Sequence, residues 1–352
     1  MKTFKTAIAS AAVAGALVAA SMPAMARDTI NIVGSSTVYP FATVVAERFG
    51  RSSDFPTPKL ESTGSGGGLK LFCAGVGTQH PDITNASRRM KSSEFKMCQD
   101  NGVKKITEVL IGSDGIVLAN SKKSGKMDIT LEQIWLALAA EVPESENSEK
   151  LFPNPYKKWS EIDSGLPNKP IRVMGPPPTS GTRDAFVELA MEGGCKQIDF
   201  IAEMEDSDED KFKSVCHSIR EDGVFVEAGE NDNLIVQKLE SDPDAFGIFG
   251  YSFLDQNSGA LQASSINGVE ATVDNISAEE YPVARSLWFY VKKAHVGVVP
   301  GIEEYVAEFT SESAWGDNGY LVDVGLIPVP RNVRMESARE AQALKEMTGK
   351  EL

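Results

Sequence analysis

The chain has 352 residues, 41% hydrophobic and 24% charged, with 50 acidic against 35 basic side chains and a formal net charge of −15. That surplus argues against nucleic acid and anionic membrane surfaces as partners, yet leaves room for a small anion in a local site. The length calls for two domains rather than one.

The first 26 residues, "MKTFKTAIASAAVAGALVAASMPAMA", place Lys2 and Lys5 before an Ala/Val/Leu run that ends in the small-x-small pattern Ala24-Met25-Ala26. They read as a secretory signal peptide, residues 1–26, with Arg27 as the first mature residue. The apolar run is short for a membrane span. "TINIVGS" then reads as a strand and "STVYPFATVVAERFG" as turn and amphipathic helix. "PKLESTG" gives a second strand and "GLKLFCAG" a second helix. "ITEVLIGSDGIVLANS" reads as two strands or one long bent strand. "TLEQIWLALAAEV" is a helix with Thr130 as N-cap. "PIRVMGPPPTSGTRDAFVELAME" gives strand, Pro-rich loop and helix, and "EMEDSDED" (203–210) a solvated acidic loop. A helix capped by Asn231 or Asp232 leads to the strand around "AFGIFGY". "RSLWFYVKK" is a late strand, followed by the helix "GIEEYVAEFTSESAWG". Strands alternating with helices predict an α/β fold with largely parallel sheets covered on both faces.

Cys73, Cys98, Cys195 and Cys216 all follow the leader. In an exported chain an even count predicts disulfides. Of three pairings, the local ones, Cys73–Cys98 and Cys195–Cys216, are preferred. Each closes a loop of about 20–25 residues, worth ~3 kcal/mol in the chain-entropy account. No CxxC spacing supports zinc, so no metal is expected.

Three helix starts share one chemistry: "GSSTVYP" (34–40), "TGSGGG" (63–68) and "TSGT" (179–182). Each follows a strand, precedes a helix, and is rich in Ser, Thr and Gly. Unpaired N–H groups and the positive dipole end make such a start an anion site, although each alone could be plain N-capping. Parallel strands bring them to one sheet edge. Neither GxxxxGK[ST] nor the dinucleotide fingerprint is present, so the ligand is a small oxyanion and no cofactor is expected. Arg88, Arg89 and Arg183 could add charge, or form ordinary ion pairs, Arg183 with Asp184 for instance.

Together, "IVGSSTVYPFA", "TGSGGG", "DITNASR", "TSGTRDAF" and "YPVARSLWFYV" resemble, in order and over nearly the whole mature chain, the periplasmic phosphate-binding protein of Pst-type ABC transporters. The resemblance implies a type II, Venus-flytrap periplasmic-binding-protein fold, with two α/β lobes joined by two crossing strands. Lobe I would hold 27–112 and 287–352, lobe II 113–286. It implies a monomeric, non-enzymatic periplasmic protein that carries inorganic phosphate to a membrane permease. Its phosphate ligands would be Ser36, Thr37 and the Val38 amide; Ser65 and Gly66; Arg88; and Ser180, Gly181, Thr182 and Arg183.

Two departures stand out. Family members place an aspartate after the "AS" pair, to accept the phosphate proton and repel sulfate; here Arg88 follows. They also carry an arginine upstream of "SGT", where this chain has "GPPPT", so Arg88 would supply the missing charge. A carrier of sulfate or molybdate, and an exported phosphatase, are the rival readings. GxSxG is absent, and His80, His217 and His295 form no ligand pattern.

Overall fold

The computed structural model describes residues 27–145, 148–178, 180–229 and 232–352. The leader, Thr179 and Asn231 lie outside them.

Nine strands form one sheet: β1 (Asn31–Gly34), β2 (Lys59–Ser62), β3 (Ile83–Ala86), β4 (Ile106–Ser121), β5 (Val173–Gly175), β6 (Phe225–Glu227), β7 (Phe246–Gly250), β8 (Leu261–Ala263) and β9 (Ala284–Lys292). The order is β2-β1-β3-β9-β4-β7-β5-β6, with β8 also on β4. Pairings β1–β2, β1–β3, β7–β5 and β5–β6 are parallel. Those of β4 and β9 are all antiparallel. The expectation of largely parallel sheets therefore holds at either end and fails along the seam. There two strands cross between the halves, and the topology lets them pair only antiparallel.

Strand β4 is the single long strand, 16 residues, and its two halves serve two cores. Val109 and Ile111 pack with Ile32, Phe41, Phe289 and Phe309, while Ile116 and Leu118 pack with Trp135, Trp159, Val173 and Ile248. Each fully buried large side chain contributes about 1.5–3 kcal/mol. The result is a two-lobe periplasmic-binding-protein-like fold. Opposite β4, β9 shifts register between Leu287 and Trp288, a bulge beside the crossing.

Local signals explain the elements. Thr130 caps the helix Leu131–Leu138, its side chain accepting from the Gln133 amide while Gln133 reaches back to the Thr130 amide. The disulfides Cys73–Cys98 and Cys195–Cys216 are present. The acidic stretch departs from expectation. It is helical over Met204–Ser207 and Glu209–His217, because the Asp208 side chain caps the second helix by accepting from the Lys211 amide. Buried Phe212 and Cys216 hold that helix to the core.

Candidate functional site

The three helix starts lie at the carboxyl ends of β1, β2 and β5. After β1, Ser35 Oγ accepts from the amides of Thr37 (3.2 Å) and Val38 (3.4 Å), and helix α1 (Tyr39–Ser52) follows. Helix α2 (Ser65–Phe72) follows β2 and contains the glycine cluster in its first turn. A Cβ on Gly68 would lie 2.4 Å from the Gly34 Cα, so this glycine serves tight helix–strand packing. Gly66 faces open space, its nearest neighbour being Arg88 Nη2 at 4.0 Å. After β5, Ser180 caps helix α3 (Gly181–Phe186), accepting from the Thr182 amide at 3.2 Å.

The first and third loops meet across the lobes. Ser36 Oγ donates to Asp184 Oδ2 at 2.5 Å, and Thr37 Oγ1 donates to the Gly181 carbonyl at 3.3 Å. Ser36, Thr37, Ser180, Gly181 and Thr182 line one cavity of about 410 Å³, together with Asp114 and the aromatic rings of Tyr39 and Phe253. The second loop does not open into it. Ser65, Gly66, Ser87 and Arg88 line a separate cleft of about 790 Å³. Ser65 Oγ is within 3.1 Å of Ser87 Oγ and accepts from the Ser87 amide at 3.0 Å.

Arg285 lines the larger cleft rather than the shared cavity, and reaches the latter through its bond to Thr37. It is only 6% exposed; Nη2 donates to Thr37 Oγ1 and Nη1 donates to Glu188 Oε2 at 2.7 Å. Its ladder partner is Asp114, on the other crossing strand. Burial pushes the Asp114 carboxyl up, and the nearby Arg285 charge opposes that rise.

Besides Ser65 and Gly66, three expected ligands lie outside the shared cavity. The Val38 residue is fully buried and its amide is taken by Ser35. Arg183 lines neither hollow: its guanidinium lies 4.6 Å from the Phe225 ring centroid and donates to the Pro176 carbonyl at 3.1 Å, an alternative to the Asp184 pair. Arg88 does reach the cleft, but Glu94 holds it through two bonds of 2.9 and 2.7 Å, so it is no free charge. The Glu94 hydrogen bond raises the Arg88 pKa; Glu94, despite burial, is pulled below its usual range by Arg88 and the Lys91 amide.

Sequence reasoning missed Ser35, Asp114, Asp184, Glu188 and Arg285. The signal for Arg285 was in "YPVARSLWFYV", a charged residue at the head of an otherwise apolar strand. Two histidines have structural partners. His295 is buried between Asp82 and the Val76 carbonyl, and His217 pairs with Glu192.

The profile of the PBP superfamily domain matches residues 19–313. Protein SphX of Synechococcus elongatus is 30% identical over 297 residues, covering 81% of this chain and 76% of that protein. The phosphate-binding protein PstS of Staphylococcus saprophyticus is 24% identical, covering 90% and 85%. Among solved structures, a possible phosphate binding protein from Planctomyces limnophilus superposes with a TM-score of 0.70 at 28% identity, covering 90% of this chain and 99% of that one. An ABC-type phosphate transport receptor from Vibrio cholerae gives 0.57 at 18%, covering 85% and 99%, a likeness of fold alone. With a superfamily match over most of its length and two lobes meeting at hydroxyl-rich loops, this chain belongs to the PBP superfamily as a PstS-like member.

Proposed function

We propose that this chain is the solute-binding subunit of an ABC importer and captures inorganic phosphate between its lobes. The observation that carries the reading is the meeting of Ser36 and Thr37 with Ser180, Gly181 and Thr182 around one cavity, from opposite lobes. Such a site offers hydroxyls and main-chain amides from two directions, which suits a tetrahedral oxyanion stripped of water. Micromolar capture needs about −8.2 kcal/mol, within reach of several charge-assisted hydrogen bonds after desolvation. The names of the PstS-type relatives support phosphate over other oxyanions.

In this reading the lobes divide at 112/113 and 286/287, so that β4 and β9 form the hinge. Anion contacts from both sides favour the shut form, which a membrane permease reads. The protein acts as a monomer, is exported by cleavage after Ala26 to the periplasm, and turns over no substrate.

Titration calorimetry of the mature protein with phosphate and with sulfate, from mildly acidic to mildly alkaline pH, tests the assignment. Tight phosphate binding with weak sulfate binding is expected. Equal affinities would eliminate phosphate as the dedicated ligand. Steady release of nitrophenol from nitrophenyl phosphate by the pure protein would overturn the non-enzymatic part.

A further inference from the structure

A buried guanidinium needs compensation, because an isolated charge in a desolvated setting is strongly disfavoured. Arg285 finds it unevenly. One Nη nitrogen donates to a neutral hydroxyl, that of Thr37; the other donates to Glu188, whose side chain is 55% exposed against 7% for Arg285. Its Nε is buried with no hydrogen-bond partner among the described residues. So the best-buried cation of the larger cleft has donors to spare, and its one hydrogen-bonded acid among the described residues is half-exposed. The other arginines near the loops are committed elsewhere, Arg88 to Glu94, Arg89 to Glu108 and Arg183 to Pro176.

Position adds a second argument. Arg285 is fixed on a crossing strand, while Thr37 belongs to lobe I, and Glu188 to lobe II in the π-helical turn (Val187–Met191) that continues α3. An anion entering beside Thr37 would meet the guanidinium from one side and find Glu188 already holding the other. Two acceptors of like charge cannot both be drawn close to one guanidinium without mutual repulsion.

We propose that Arg285 is the cationic ligand of the anion and that Glu188 is a tethered competitor for it, which lowers affinity and is displaced as the anion enters. The inference rests on the phosphate-binding reading above. It assigns the missing positive charge to the crossing strand rather than to Arg88. It also makes Glu188 a built-in brake that eases release once the lobes part.

The test is calorimetry with inorganic phosphate on the wild type, Glu188→Gln, Arg285→Gln and the double variant, with thermal unfolding as a folding control. Glu188→Gln is expected to bind phosphate about five-fold more tightly, the scale of a half-exposed ion pair. Arg285→Gln is expected to lose at least ~30-fold, as for a truncated buried charge partner. In the double variant the gain from Glu188→Gln should vanish, since the competition needs Arg285. A purely structural Glu188 would give unchanged or weaker binding on mutation, and either result overturns the inference. A persisting gain without Arg285 does so too. If Arg285→Gln fails to fold, the sign of the Glu188→Gln effect decides alone. Failure of the wild type to bind phosphate would overturn the functional reading and this inference with it. Wild-type binding with an unaltered Glu188→Gln would overturn this inference only.

Discussion

Gly181→Ala is the most direct test of the two-lobe site. A Cβ at this position would lie 2.6 Å from the Ser36 carbonyl oxygen and 3.0 Å from the Thr37 Cα, both main-chain atoms of the other lobe. A carbon–oxygen contact relaxes only near about 3.3–3.6 Å, so the loops must part by roughly 0.8 Å. The Thr37–Gly181 hydrogen bond is already 3.3 Å long and would break; the Ser36–Asp184 bond would stretch beyond good geometry. Losing one neutral and one charge-assisted bond, and with them the grip on a shared anion, costs about 2–3 kcal/mol. That corresponds to ~30- to 150-fold in dissociation constant. Folding should not suffer, because the clash lies between lobes and not within one. Alanine at the first position of a helix even restricts the unfolded chain, worth about 0.4–1 kcal/mol. Calorimetry, small-angle scattering with and without phosphate, and thermal unfolding together read the outcome. Wild-type affinity and wild-type compaction in the variant would refute the interlobe placement of residues 36–37 and 181.

Two further outcomes follow from the charges. Among the described residues lining the shared cavity, Asp114 is the one acid, standing where it could take the proton of phosphate and repel sulfate. Asp114→Asn should therefore shrink the phosphate-over-sulfate preference by about ten-fold, and an unchanged ratio in competition calorimetry would remove Asp114 from that role. Near the second disulfide, burial works to raise the Glu192 carboxyl, but hydrogen bonds from His217 and Lys196 bring it down to about 2 from 4.5. A depressed carboxylate stabilises the fold above its unfolded pKa, and that contribution is lost as pH falls from 4.5 toward 2. The shift bounds the effect at about 3 kcal/mol, cut to about 1 by solvent screening. Unfolding temperature should fall more steeply with acid in the wild type than in Glu192→Gln; parallel curves would contradict it.

Much of the frame was legible because it is written in short-range chemistry. The strand ends, the Thr130 cap, the glycine-rich start of α2 and the cysteine pairs are all set by neighbours within a few dozen residues. What escaped is set by the sheet. Asp114 and Arg285 become partners only because β4 and β9 cross, and that pairing joins segments separated by some half of the chain. Glu188 looked like one more polar residue on a helix until a π-helical turn placed it against Arg285. The ion pair of Arg88 has a local cause that the sequence reading did not include, since Glu94 caps the helix at Ser92–Asp100 and holds the guanidinium at the same time.

A chain of net charge −15 that captures anions poses an electrostatic question, and the structure suggests how it is met. At physiological ionic strength exposed charges beyond about 8 Å are largely screened, so the global field matters little inside the cleft. There, most cations are cancelled pairwise: Arg88 by Glu94, Arg89 by Glu108, Arg285 in part by Glu188. Apart from the exposed Lys91, what remains uncancelled is dipolar, namely hydroxyls and main-chain amides fixed at helix starts, together with the spare donors of one buried guanidinium. Fixed dipoles discriminate by geometry more than by charge. Hence the loops must meet to within fractions of an ångström, and a glycine stands where the two lobes touch.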